Sequence, residues 1–269
     1  QLVTDLRKFK VSSVTPVIVD AETTFLILNV SFAYDSNSTT QTKGGLESLI
    51  SDTLSAYNDT DLKNFDNPFR HSKLTGQIDD TDTAILNNTV TVTLGKFITP
   101  TLSTKQSFIV NFANALFNPH SGHNAAAGGI IASTGFFLGG ATEYFFDDDG
   151  AGNLRIYSVV AGARVYFDSA AGTIDYTKGT VTINPLTITA ISNVDDETSV
   201  SIRITAIPNS NDVVPVRNQI LELDLVNTTV TGQIDNTTTT GVGYTTTTSG
   251  TASTTSVNTT TSYPTSSGY

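Results

Sequence analysis

The sequence predicts an α+β fold in which an α/β layer, two helices on a sheet, precedes an all-β meander or sandwich and an extended Thr-rich tail. Three observations predict it. Leu46, Leu49, Ile50, Leu54 and Tyr57 recur every three to four positions, the spacing of one helix face. Val30, Phe32 and Tyr34 alternate with Ser31 and Ala33, the period of a strand, and many later segments repeat that pattern between glycine turns. Beyond Asn227 the chain is mostly Thr, Ser, Asn and Gly, with Asp235 as its only charge.

In chain order, residues 1–20 read as the end of an upstream region, extended around Pro16. The chain contains no Met and begins at Gln1, so further sequence upstream is expected. Thr23 to Asp35 is a strand rich in β-branched and aromatic residues. Gly44-Gly45 leads into the helix Leu46 to Tyr57, and a shorter helix is expected from Phe69 to Asp80, where Leu74 and Ile78 sit one turn apart behind Pro68. Thr89 to Ile98 and Gln106 to Phe112 alternate as strands and complete a layer over 21–113.

From 114 to 226 the character is β-rich. Asp149-Gly150, Ala171-Gly172 and Lys178-Gly179 punctuate short strands near Glu143 to Phe146, Asn153 to Val160, Ala163 to Phe167, Thr173 to Tyr176 and Thr180 to Ile183. Leu186 to Ile191, Ser199 to Ile207 and Val216 to Leu225 continue the series. The segment 227–269 cannot bury enough apolar surface to offset its ordering entropy alone. It is expected to lie as a strap on a partner, with Tyr244, Tyr263 and Tyr269 as its anchors.

Composition excludes several function classes. With 38% hydrophobic residues the chain can build a core, and with net charge −11 it lacks the clustered cations that a phosphate backbone requires, so no nucleic-acid partner is expected. Zero cysteines exclude disulfides, thiolate metal sites and cysteine nucleophiles. The uncharged run from Ser121 to Thr142 is too polar and glycine-rich for a membrane span and reads as a buried strand between glycine turns.

Candidate chemistry is sparse. Asp147-Asp148-Asp149-Gly150 could hold a hard cation, but Asp-Gly between alternating strands is first a hairpin turn, and the twelfth-position Glu of a calcium loop is missing. His120 and His123 could share a metal but lack a third ligand in sequence, and His71 reads as a packing or capping residue at a helix start. Asp79-Asp80 and Asp195-Asp196 are adjacent pairs that point apart, unlike the separated carboxyls of a glycosidase. Nucleophile-elbow, zincin, Walker and dinucleotide patterns are missing from the sequence, so no enzyme activity and no cofactor are expected. Asn-x-Ser/Thr triplets, including one at Asn29 inside a strand, arise by chance in so Asn- and Thr-rich a chain.

Several segments together carry a family resemblance. The first strand, the helix Leu46 to Tyr57, and Phe69-Arg70-His71-Ser72-Lys73-Leu74 with Ile78-Asp79 resemble the J-type baseplate domain of contractile injection systems. The hairpin Phe145 to Tyr157, the segment Ala171-Gly172-Thr173-Ile174-Asp175-Tyr176, and above all the two-proline stretch Ile207-Pro208 through Pro215-Val216-Arg217 to Leu221 resemble the C-terminal portion of the baseplate wedge protein of T-even-like phages, particularly those of marine cyanobacteria. The resemblance implies a non-enzymatic virion component that pairs with a second copy of itself, contacts other wedge subunits and links wedges into a ring around the hub. Leu46, Tyr57, Arg217, Tyr244, Tyr263 and Tyr269 are the candidate interface residues. A carbohydrate-binding adhesin or tail-fibre module is the competing reading, distinguished by whether Tyr and Phe cluster on an open face.

Overall fold

The computed structural model describes residues 22–123, 129–193, 199–216 and 218–235. Strand β1 (Glu22–Tyr34) leads into α1 (Lys43–Asp61), α2 (His71–Asp79), β2 (Ile85–Ile98) and β3 (Lys105–Asn111). Ten further strands follow: β4 (Ile131–Ser133), β5 (Phe136–Phe137), β6 (Glu143–Asp148), β7 (Asn153–Val160), β8 (Ala163–Asp175), β9 (Thr180–Thr187), β10 (Ala190–Ile191), β11 (Ile202–Ala206), β12 (Gln219–Leu223) and β13 (Thr229–Ile234). They form two sheets, one ordered β12-β1-β2-β11-β4 with β13 also on β1, the other ordered β10-β5-β6-β7-β8-β9-β3.

Each helix forms for reasons visible in its residues. Thr42 caps α1 by accepting the Gly45 N–H at 3.1 Å, and Leu46, Ile50, Leu54 and Tyr57 turn one apolar face to the sheet. The polar Asn58 is buried on that same face because its Oδ1 accepts the Leu223 N–H of β12 at 2.8 Å. In α2 the residue before the helix, Arg70, supplies no side-chain cap. Instead Asp212, far along the chain, accepts the His71 N–H.

The boundary expected near residue 113 does not separate the two layers. Strands β11, β4, β12 and β13, all from beyond it, complete the sheet begun by β1 and β2, and a single apolar cluster runs from Leu26 through Phe112 to Leu223. The long-range pairing is parallel: β12 runs beside Glu22 to Leu26 and β13 beside Asn29 to Tyr34 of β1. The Thr-rich tail also begins later than expected, since Thr229–Ile234 is a paired strand. Its Gly232 lets the Phe32 ring of β1 lie against the backbone, and the Gly232 N–H donates to Glu47 Oε1 of α1 at 2.9 Å. Glu47 thus occupies an edge donor that could otherwise recruit another strand. Between Ser121 and Thr142, where one buried strand was expected, the described part holds the two short strands β4 and β5. Among the described residues no helix is long and apolar enough to cross a membrane.

A candidate assembly surface above two buried aspartates

The β6–β7 hairpin carries the acidic run singled out in the sequence. Asp149 does form the expected turn, accepting the N–H groups of Ala151 at 2.7 Å and Asn153 at 3.0 Å. Burial would raise the Asp149 carboxyl, but the Asn153 side chain and then these backbone contacts together hold it below its usual range. Asp147 and Asp148 are different. Successive strand side chains point to opposite faces, so the two carboxylates diverge, and both are buried.

Asp148 faces inward and joins the two sheets. Its Oδ1 accepts the N–H groups of Ile130 at 2.5 Å and Ile131 at 2.9 Å, at the start of β4, and its Oδ2 accepts Gly150 N–H at 3.2 Å and the Tyr176 hydroxyl at 2.7 Å. Burial first, then the Asp148 carboxylate, push the Tyr176 phenol far above its ordinary value, so it stays a donor. Gly129, at φ +71°, is required here because a Cβ would collide with the Asp148 carboxylate.

Asp147 faces the other way. Its Oδ1 accepts Arg155 Nε at 2.9 Å, and its Oδ2 accepts Arg164 Nη1 at 2.7 Å and the Tyr166 hydroxyl at 3.0 Å. The guanidiniums also cross between strands: Arg155 lies 4.2 Å over the Tyr166 ring and Arg164 lies 4.5 Å over Tyr157. Burial, followed by the Asp147 charge, raises the Tyr166 phenol above its ordinary value.

Beside this cluster the β7–β8 hairpin presents apolar side chains to solvent. Every residue from Ala163 to Ala170 is exposed, Phe167 by 63%, and Val159, Val160 and Val165 are each at least half exposed. Contiguous exposed apolar side chains of this kind mark interaction surfaces. Their signal was present in the sequence as Val165-Tyr166-Phe167, three large residues without alternation, which puts apolar groups on both faces of one strand.

The expected interface residues fall elsewhere. Leu46 and Tyr57 are buried within this chain, 0% and 2% exposed, so neither offers a surface to a partner. Both sit on the inward face of α1, where Tyr57 packs edge-on against Phe69 and its hydroxyl accepts the Arg70 N–H. Arg217, Tyr244, Tyr263 and Tyr269 lie outside the described residues.

The remaining candidates gather no chemistry. His120 and His123 meet at 2.9 Å, but no group of three metal-ligating side chains exists among the described residues. His71 packs as expected, with Nε2 2.9 Å from the Val90 carbonyl. Asp79 is occupied by the Asn88 amide, and Asp195-Asp196 lies outside the described residues.

Residues 22–96 match the family model described as baseplate structural protein gp6, C-terminal domain III. No curated protein matches the chain. The matched span contains β1, α1, α2 and most of β2, the part of the first sheet that carries both helices. Over 22–96 the chain is thus similar to a baseplate structural domain of the gp6 type, and that similarity supports a baseplate wedge protein located in the tail baseplate of the phage virion.

Proposed function

We propose that this protein is a wedge component acting through shape and interfaces, without catalysis, which links wedges into a ring around the hub by pairing with a second copy of itself and contacting other wedge subunits. The observation that carries the reading is the gp6-type match over 22–96, coincident with the β1-α1-α2-β2 unit. That unit is read as a J-type layer. The exposed apolar hairpin of β7 and β8 supports an assembly role, because such side chains gain most when a partner removes them from water.

The adhesin reading requires open aromatic platforms. Tyr157 and Tyr166 are surface tyrosines, but a guanidinium lies over each ring. Phe32, Phe69, Phe112, Phe136 and Phe146 are buried. Phe65, Phe97, Phe117 and Phe167 are exposed, and Phe167 packs on Tyr144 beside the hairpin, so the assembly reading rests on the gp6-type match and not on the aromatics. Cross-linking mass spectrometry of intact baseplates tests the proposal. It should return links from this chain both to other wedge subunits and between equivalent copies, whereas links to fibre proteins alone would overturn it.

A further inference from the structure

We propose that the β7–β8 hairpin from Val159 to Ala170 is a movable arm, latched to the body of the protein by the Asp147 carboxylate. This inference concerns the chain itself and does not depend on which subunit the arm meets.

The arm is stiff at its tip and weak at its root. Ala161 and Gly162, at φ 52° and 81°, form a two-residue turn of the kind that matches strand twist and keeps a hairpin in register. At the root the β7–β8 pairing slips twice, between Leu154 and Ile156 and between Ile156 and Tyr157. Such irregularities interrupt the ladder and bend the strand. Support from the far side is also missing, since β9 pairs with β8 only from Gly172 to Asp175.

Few side-chain ties hold the arm down among the described residues. Arg164 and Tyr166 reach Asp147 and lie against Tyr157 and Arg155 of the root, Phe167 lies 5.0 Å from the Tyr144 ring, and Asn184 donates to the Ala170 carbonyl. The latch has an asymmetry that permits release. Two donors to Asp147 come from the arm, whereas Arg155, on the part of β7 paired with β6, donates to both the Asp147 carboxylate and the Asp148 carbonyl. When the arm leaves, Arg155 keeps the buried charge paired, so opening avoids the large penalty of an isolated carboxylate. Apolar groups on both faces of the arm then give an open position something to gain when it is covered.

The natural chain has no cysteine, so two introduced thiols define one spin-label pair. Labels at Ala163→Cys on the tip and Ile109→Cys on β3, which is 72% exposed, are read by pulsed electron paramagnetic resonance in the full chain, with the latch intact and with Arg164→Met and Tyr166→Phe together. The intact latch should give one narrow distance distribution and the latch-less protein a broadened or two-population one, with amide exchange in β1 and β9 unchanged. The same narrow distribution in both proteins would overturn the proposal, as would equal breadth in both. Loss of protection in β9 along with the arm would also overturn it, because the change would then be unfolding of the sheet.

Discussion

Asp212 and His71 are 141 positions apart, and the Asp212 carboxylate accepts the His71 N–H at 2.9 Å, so the first turn of α2 is capped by a residue from the loop before β12. Arg70 donates to the other carboxylate oxygen at 2.9 Å. Helix starts leave N–H groups without intrahelical acceptors, and a carboxylate there also suits the helix dipole.

Removing that cap should cost about 1 kcal/mol, the usual worth of an N-cap side chain. The Arg70 side chain, then the His71 backbone, lower the Asp212 pKa in the fold. A lowered carboxyl contributes stability above its unfolded pKa and loses it as pH falls through the folded one. Asp212→Ala should therefore lower the urea midpoint at neutral pH, with the difference from the parent closing in strong acid. A pH-independent difference would argue that the loop, not the charge, matters.

Asp148→Ala should be far more damaging, on the order of 3–5 kcal/mol, because it leaves three buried N–H donors and the half-buried Tyr176 hydroxyl around an empty position. Gly129→Ala should destabilise through both its positive φ and the same carboxylate. Thermal unfolding of both variants checks this. Near-parental melting would mean that Asp148 does not join the sheets.

Lys96 gives a prediction of opposite sign. Its side chain is 12% exposed, and burial lowers its pKa more than Glu22, 3.6 Å away, raises it. The protonated form is disfavoured in the fold, so Lys96 opposes folding at neutral pH and does so less as pH rises past the folded pKa. Lys96→Met should be neutral or stabilising by up to about 1 kcal/mol at pH 7, with the gain shrinking in alkali. Clear destabilisation in equilibrium unfolding would show that the Lys96–Glu22 pair contributes net stability.

On the arm, Val165→Ser with Phe167→Ser should change stability by no more than about 0.5 kcal/mol, because both side chains are at least half exposed. The same pair should reduce incorporation into baseplates, measured by complementation with tagged protein. Normal incorporation would remove the arm from the assembly surface.

Local signals in the sequence were sufficient for the elements but not for their partners. The spacing of Leu46, Ile50, Leu54 and Tyr57 identifies α1 and its inward face, yet the same burial removes Leu46 and Tyr57 from any interface. The β-branched Thr229, Val230 and Thr231 suit a strand but merge into the Thr-rich tail, and what orders them is β1, 200 positions away at Asn29, where the Thr229 hydroxyl meets the Asn29 amide oxygen. The acidic hairpin was legible as a turn through Asp149-Gly150. The roles of Asp147 and Asp148 were not, since they depend on Arg164, Tyr166, Ile130 and Tyr176, which only the fold brings together.

Quantitative mass spectrometry of isolated baseplates tests most directly whether this chain is a structural part of the phage tail baseplate. Peptides of this chain should co-purify with the baseplate in a fixed ratio to the other wedge subunits across independent preparations. Their absence from washed baseplates, or recovery only with detached fibres, would contradict the account.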